Sequence, residues 1–395
     1  MEREHFLLIN NMDRRAFLKT STAGLAGLGL SSIAAAGLSA MGRGARGPEG
    51  RNGEYNIIVL GDTHFDTEPV SVYHSNYNEP KEWLNRVQRA EFARNGEMWR
   101  ERCPRLIKRA ACLVDSKTVQ VLHMGDIIQG DCGSGEVHLK MLDDVMNSFK
   151  SSFGGSLPLV LTVGNHDIRG TDAKKVCHEY VPIRMSQELG LPISKTTFSY
   201  TVGDDAYLVI DFNDPDDAEV EKMLASTKNC RHTFVVVHGP VFPFDGASCR
   251  WFWHGKDTPE HTEARLHFRR ELARRNALVL CGHVHRTEFA DWYGDGGRIT
   301  QMTFNSVWSK PELDKHEIIA EGAASYGSMR KDMKRDDGRP ITDETPLFDE
   351  YRSGLKRYSV SRAAGSYKLN VSRKHVSVDF YAGDSTFRTA TFQLR

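Results

Sequence analysis

Seven side chains suited to metal binding stand just after short apolar runs. They are Asp62, His64, Asp126, Asn165, His238, His283 and His285, in the clusters Gly61-Asp62-Thr63-His64, Gly125-Asp126, Gly164-Asn165-His166-Asp167, His238-Gly239-Pro240 and Gly282-His283-Val284-His285. Two carboxylates, one amide oxygen and four imidazoles suit Mn, Fe or Zn better than the all-oxygen shells of Ca and Mg. Seven ligands exceed the four of a closed zinc site, and a carboxylate such as Asp126 can bridge two neighbouring cations, so the set points to two ions. Two divalent ions bring about four positive charges, offset only by Asp62, Asp126 and a bound hydroxide, and such a centre attracts phosphate. A Gly-Asp pair or a lone histidine at a strand end is more often a turn or a satisfied polar group. Five such clusters in succession are not accounted for that way. In extended chain, residues two apart point the same way, which would set Asp62 beside His64 and His283 beside His285.

The elements that must carry these clusters are legible as apolar, β-branched runs over Asn56–Leu60, Val119–Met124, Leu159–Val163, Thr233–Val237 and Ala277–Cys281. Helical patterns separate them over Glu91–Asp115, Val137–Phe149, Lys174–Leu189 and Glu260–Asn276, and Phe198–Ile210 reads as a strand pair turning at Gly203-Asp204-Asp205. Strands alternating with helices predict an α/β sheet, whose ligand sites gather beyond the carboxyl ends of the strands. Residues 310–366 read as a polar surface excursion. Tyr367–Val371 and Val376–Phe380 alternate as a hairpin, expected with the rest of 367–395 to close a second sheet over the first. No internal repeat is present, and one layered domain over 54–395 is expected.

In that order, the motifs GDTH, GD, GNHD, HGP and GHVH resemble those of the calcineurin-like metallophosphoesterases over about Asn56 to His285. The resemblance implies a four-layer αββα sandwich of two mixed β-sheets flanked by helices. It implies one ion on Asp62, His64 and His285, another on Asn165, His238 and His283, and Asp126 bridging both. A metal-bridging hydroxide would then attack phosphorus in a phosphate mono- or diester, with His166 as the acid for the leaving oxygen. The second cluster departs from two better-known branches. Protein Ser/Thr phosphatases look like GDxVDRG there, and purple acid phosphatases place a metal-binding Tyr three residues after the Asp, where this chain has Gln129. The acidic partner that would orient the histidine is absent in one comparison and the chromophoric tyrosine in the other, so a colourless enzyme of another branch is expected.

Other residues carry weaker signals. Arg250, Trp251, Trp253 and His254 follow His238 and could clamp a phosphate or stack on a base, or simply anchor a loop by packing. His123 reads as packed within its strand, Asp167 as a turn stabiliser, and Cys281 as core. Seven cysteines with no C-x-x-C spacing write neither a zinc ribbon nor a disulfide scaffold.

The whole chain has 395 residues, 39% apolar, with 52 basic and 52 acidic side chains, so no net field draws it to nucleic acid or an anionic membrane. Asp13-Arg14-Arg15-Ala16-Phe17-Leu18-Lys19 precedes an Ala/Gly/Leu/Ser stretch over Thr20–Met41, which resembles a twin-arginine export signal over residues 1–40. Its glycines and hydroxyl residues make it a poor spanning helix. Ala34-Ala35-Ala36 or Ala40 would be the cleavage site, and 41–53 a linker. These features predict a periplasmic or otherwise extracytoplasmic enzyme that meets the twin-arginine translocation machinery and a small phosphate-ester substrate, without a stable nucleic-acid partner. Nucleotidase, cyclic-nucleotide phosphodiesterase and pyrophosphatase activities stay open, as does a catalytically silent metal-containing envelope binding protein.

Overall fold

β-Branched and aromatic runs become strands and amphipathic segments become helices along the chain of a computed structural model, which describes residues 53–66, 82–244, 254, 258–327 and 345–395. In chain order the elements are β1 (Tyr55–Leu60), α1 (Glu82–Glu101), α2 (Cys103–Ala111), β2 (Thr118–His123), α3 (Gly135–Ser152), β3 (Leu159–Leu161), α4 (Ala173–Leu189), β4 (Phe198–Val202), β5 (Asp205–Ile210) and α5 (Asp217–Ser226). They continue with β6 (Thr233–Val237), α6 (Pro259–Arg274), β7 (Leu278–Cys281), β8 (Thr287–Gly294), β9 (Gly297–Thr303), β10 (Ile318–Glu321), α7 (Thr345–Arg352), β11 (Leu355–Ser361), β12 (Gly365–Val371), β13 (Val376–Ala382) and β14 (Ala390–Gln393). The predicted export signal lies outside the described residues.

Two mixed sheets result. One has six strands in the order β14-β13-β12-β1-β2-β3, the other eight in the order β10-β11-β8-β9-β7-β6-β5-β4. In the first, β1, β2 and β3 run parallel; in the second, β5, β6, β7 and β9 do. Side chains alternate across the larger sheet. Tyr207, Val209, Phe234, Val236 and Leu280 join the core shared with the six-stranded sheet, whereas Leu208, Ile210, Val235, Val237 and Val279 turn to the core holding Leu224 of α5 and Leu272 of α6. Helices α2, α3 and α4 pack on the smaller sheet and α5 and α6 on the larger. Two mixed sheets flanked by helices are the expected architecture.

Polar ties fix the sheets against each other. Tyr55 Oη donates to Asp205 Oδ2 at 2.8 Å, Gln120 Nε2 to Tyr200 Oη at 2.7 Å, and Thr162 Oγ1 to the Ile210 carbonyl at 3.0 Å. At the end of β1, Gly61 N donates to Ser306 Oγ at 2.9 Å, and the two chains approach so closely that a Cβ on Gly61 would sit 2.4 Å from Phe304 O.

Three expectations need correction. The described residues of 310–366 are not an irregular excursion: β10 and β11 extend the eight-stranded sheet, with β11 paired to β8. Leu355, Tyr358 and Val360 are buried while Lys356 and Arg357 face outward, and a register shift between Leu355 and Arg357 breaks the alternation that would mark a strand. The C-terminal hairpin does not close a separate sheet; β12 pairs antiparallel with β1 and completes the first. The helix expected over Glu91–Asp115 is two helices, α2 starting afresh at Cys103 with Pro104 in its first turn, where the missing N–H does no harm.

Adding a methyl where Gly61 meets Phe304 of the other sheet tests this packing. Gly61→Ala should lower unfolding free energy by about 1–3 kcal/mol, read as a lower urea midpoint at an unchanged slope.

Candidate metal centre

The parallel strands deliver the clusters to one end of the sandwich, β1, β2 and β3 from the smaller sheet and β6 and β7 from the larger. The regular strands stop at Leu60, His123, Leu161, Val237 and Cys281, and the chain then turns sharply. His64, Asp126, His283 and His285 have φ of 46°, 48°, 70° and 49°, a left-handed backbone that costs roughly 1–3 kcal/mol per non-glycine residue. The extended-chain reasoning about residues two apart therefore fails here. Asp62 and His64 do share one donor group, but His283 and His285 fall into different ones.

Donor atoms of Asp62, His64, Asp126 and His285 all lie within 4.8 Å of one another, as do those of Asp126, His238 and His283. Asp126 belongs to both groups. His64 Nε2 is 3.0 Å from His285 Nε2 and 3.9 Å from Asp126 Oδ2. His238 Nε2 lies 3.2 Å from Asp126 Oδ2, 3.2 Å from Asn165 Oδ1 and 3.3 Å from His283 Nδ1, which brings the seventh predicted residue, Asn165, beside the second group. The fit of Asp126 depends on a neighbouring glycine, since a Cβ on Gly164 would fall 2.1 Å from Asp126 N.

Burial sets the charge state of the donors. It holds His64 and His283 well below the usual imidazole range and pushes His285 down to about 3, so all three offer lone pairs. Burial also pushes Asp62 up to about 7. Against its burial, His238 is driven up to about 9 by Asp126 and Asp62, and Asp126, despite its own burial, is held well below the carboxylate range by His238 and His166. Three neutral imidazoles, two carboxylates and an amide oxygen converge within ligand reach, and His238, which Asp126 and Asp62 keep protonated, would give up its Nε2 proton to a cation, so the set fits divalent cations.

The surrounding bonds orient these groups. The His238 Nδ1–H donates to the Met124 carbonyl at 2.7 Å, leaving Nε2 for the site. His283 N donates to both Asp62 oxygens at 3.0 Å. His166 donates its backbone N–H to Asp126 Oδ1 at 2.7 Å, sets its Nδ1 2.8 Å from the Gln129 carbonyl, and lays its ring edge-on to His64 at 4.5 Å. The acidic partner missing from the sequence is thus replaced by a backbone carbonyl. Asp167 caps the turn, accepting from Gly164 N at 2.8 Å and Ile128 N at 3.2 Å. His123 is fully buried with Nε2 2.9 Å from Thr63 Oγ1, a packed residue as expected, and Cys281 is core.

Of the rim residues, Arg250, Trp251 and Trp253 lie outside the described residues. His254 is not among the metal-site donors; its Nε2 meets Asp217 Oδ1 at 2.8 Å and its ring meets His261. Sequence reasoning missed three supports. Phe212 packs on His238 and His283, with ring centroids 5.6 and 6.3 Å away; it follows β5 in Asp211-Phe212-Asn213, a sixth strand-end cluster that the same logic would have flagged. Trp99 and His138 sit on helix faces that read as ordinary amphipathic surface and carried no such signal.

A family model for calcineurin-like phosphoesterases matches residues 55–287. The chain belongs to this family. Membership makes it a metal-dependent phosphoesterase acting on phosphate esters. No curated protein matches the chain. Among solved structures it is similar to PhoD, at 10% identity, a TM-score of 0.46 and coverage of 89% of this chain and 69% of that one. It is also similar to GAP50, the anchor in the inner membrane complex of Plasmodium, at 11% identity, 0.44, and 87% and 89%. A predicted phosphoesterase from Streptococcus pneumoniae TIGR4 follows at 10% identity, 0.31, and 86% and 97%. No helix among the described residues is long and apolar enough to cross a membrane.

His138 allows a test of how the phosphoesterase's site loop is held. Its Nε2–H donates to the Asp167 carbonyl at 2.8 Å, and burial pushes it down to about 4 from 6.5. Between these values the unfolded chain binds a proton that the folded one refuses, so this contribution is intact above pH 6.5 and is lost as pH falls towards 4. His138→Gln keeps a donor without the titration. Its unfolding free energy, measured by urea titration, should fall less steeply than wild type over that window.

Proposed function

We propose that the chain hydrolyses phosphate esters at a two-ion centre, with Asp62, His64 and His285 holding one ion, Asn165, His238 and His283 the other, and Asp126 shared. The observation that carries this reading is the Asp126 carboxylate, which belongs to both donor groups. When bound, such ions supply a water acidified enough to attack phosphorus and positive charge for the phosphoryl oxygens. The chain's own residues do the rest. Asp126 and Asp62 bring the negative charge that retains the cations; His64, His283 and His285 are neutral through burial, and His238, once its Nε2 proton is displaced, would complete the coordination without adding charge. His166, steadied through Nδ1 by the Gln129 carbonyl, has Nε2 to deliver a proton to the leaving oxygen. The Arg14-Arg15 segment supports export by the twin-arginine route to the periplasm.

Two variants separate holding metal from moving protons. Asp126→Asn should lose most of its Mn, Fe or Zn, measured by elemental analysis of purified protein; full occupancy would remove Asp126 from its shared role. His166→Ala should keep the metal yet lose about 10²- to 10⁴-fold in kcat on an alkyl phosphate, and far less on nitrophenyl phosphate, whose leaving group needs no proton. Equal losses on both substrates would discard the acid assignment. Nitrophenyl mono- and diesters in the same assay decide which ester class is preferred.

A further inference from the structure

The imidazoles of the centre are not all steadied the same way. His238 is fixed by its ring, Nδ1 to the Met124 carbonyl at 2.7 Å. His64 has no equivalent: its Nδ1 is buried and meets no hydrogen-bond partner among the described residues. With no hydrogen bond on Nδ1, its ring is aimed by edge-on packing against His166 and His285 and by its backbone, which is itself in the left-handed region at φ 46°. The amide side of that backbone is zipped to the second cluster, Thr63 N and His64 N donating to the Asp126 carbonyl at 3.2 and 2.9 Å. On the carbonyl side, a single group among the described residues closes the loop. Trp99 Nε1–H reaches both the Thr63 carbonyl at 3.1 Å and the His64 carbonyl at 2.7 Å. The indole is 6% exposed and wedged between Phe65, edge-on at 4.8 Å, and Phe149, stacked at 6.0 Å.

We infer that the Trp99 indole N–H is a positioning group for one metal site only, clamping the His64 carbonyl so that His64 is aimed at the ion it would share with Asp62 and His285. The second half-site does not depend on it, because His238 is held through the Met124 carbonyl and flanked by Phe212, which follows the neighbouring strand β5 of the same eight-stranded sheet. The inference rests on the two-ion reading above. Loss of an outer-shell partner that orients a ligand weakens metal binding by roughly 10- to 100-fold, and here the loss should fall on one ion of the two.

Calorimetric titration of metal-free full-length protein with Zn²⁺ alone, and separately with Mn²⁺ alone, tests this. Wild type should take two ions. Trp99→Phe, which keeps an aromatic ring and deletes the donor, should bind one at wild-type affinity and the other roughly 10- to 100-fold more weakly. Phe149→Leu, which loosens the same stack but leaves the N–H, should keep both affinities. Two undisturbed sites in Trp99→Phe, or equal weakening of both, would overturn the inference. If Trp99→Phe does not fold, 3-benzothienylalanine at position 99 replaces the N–H by sulfur within the same shape and is held to the same outcomes. A wild-type stoichiometry of one would instead overturn the two-ion reading beneath it.

Discussion

An ionised carboxylate buried between two sheets is the constraint around which this chain is organised. Asp126 is 1% exposed, and a charge at that depth costs several kcal/mol unless it is met by donors and opposite charge. Its Oδ1 takes the His166 amide, its Oδ2 faces His238, and its own carbonyl takes the amides of Thr63 and His64. These partners come from three different strand ends, those of β1, β3 and β6. The strands therefore have to stop where they do, and the left-handed turns at His64, Asp126, His283 and His285 follow from bringing ligands back across the ends of strands that would otherwise carry them past.

How much of this was legible follows from which signals are local. A buried strand running into glycine and then a ligand is written within a few consecutive residues, so the five clusters and the apolar runs before them could be read directly. Sheet membership is not local. Nothing in Val235 or Val121 says that β6 and β2 lie in different sheets, and the C-terminal hairpin could be recognised as a hairpin without its pairing to β1 being visible. Strands β8 and β9 are obscured by buried charge: Glu288 accepts from Thr303 at 2.9 Å, and Asp291 is met by Arg298 and Arg357. Once paired, such residues behave as core, but in sequence they break the apolar run. Trp99 was invisible for a related reason, since its working atom is one N–H on a side chain that otherwise packs like any aromatic residue.

The supports around the imidazoles share a preference for backbone carbonyls. Met124 orients His238, Gln129 orients His166, and the Asp167 carbonyl is itself held by His138. A carboxylate in any of these places would orient the ring equally well but would add negative charge and raise the basicity of the imidazole. A carbonyl fixes the tautomer and leaves the charge balance to Asp62 and Asp126. The departure at Gln129 is thus an electrostatic choice as much as a missing motif residue. The Gln129 side chain is tied to Asn95 and Glu91, which keeps the carbonyl where His166 needs it.

The donor set is also divided by sheet. Asp62, His64, Asp126 and Asn165 follow strands of the six-stranded sheet, whereas His238, His283 and His285 follow strands of the eight-stranded one. All the oxygen donors, and with them all the negative charge, lie on one side; the other contributes only imidazoles. Neither side offers a complete shell, so a cation bound between them would join the two sheets and add its binding free energy to their association. The metal-independent ties through Gly61 and Ser306, Thr162 and Ile210, and Tyr55 and Asp205 then have a definite task. They keep the two halves in register before any ion arrives, so that ligands from opposite sheets are already within reach of a common centre.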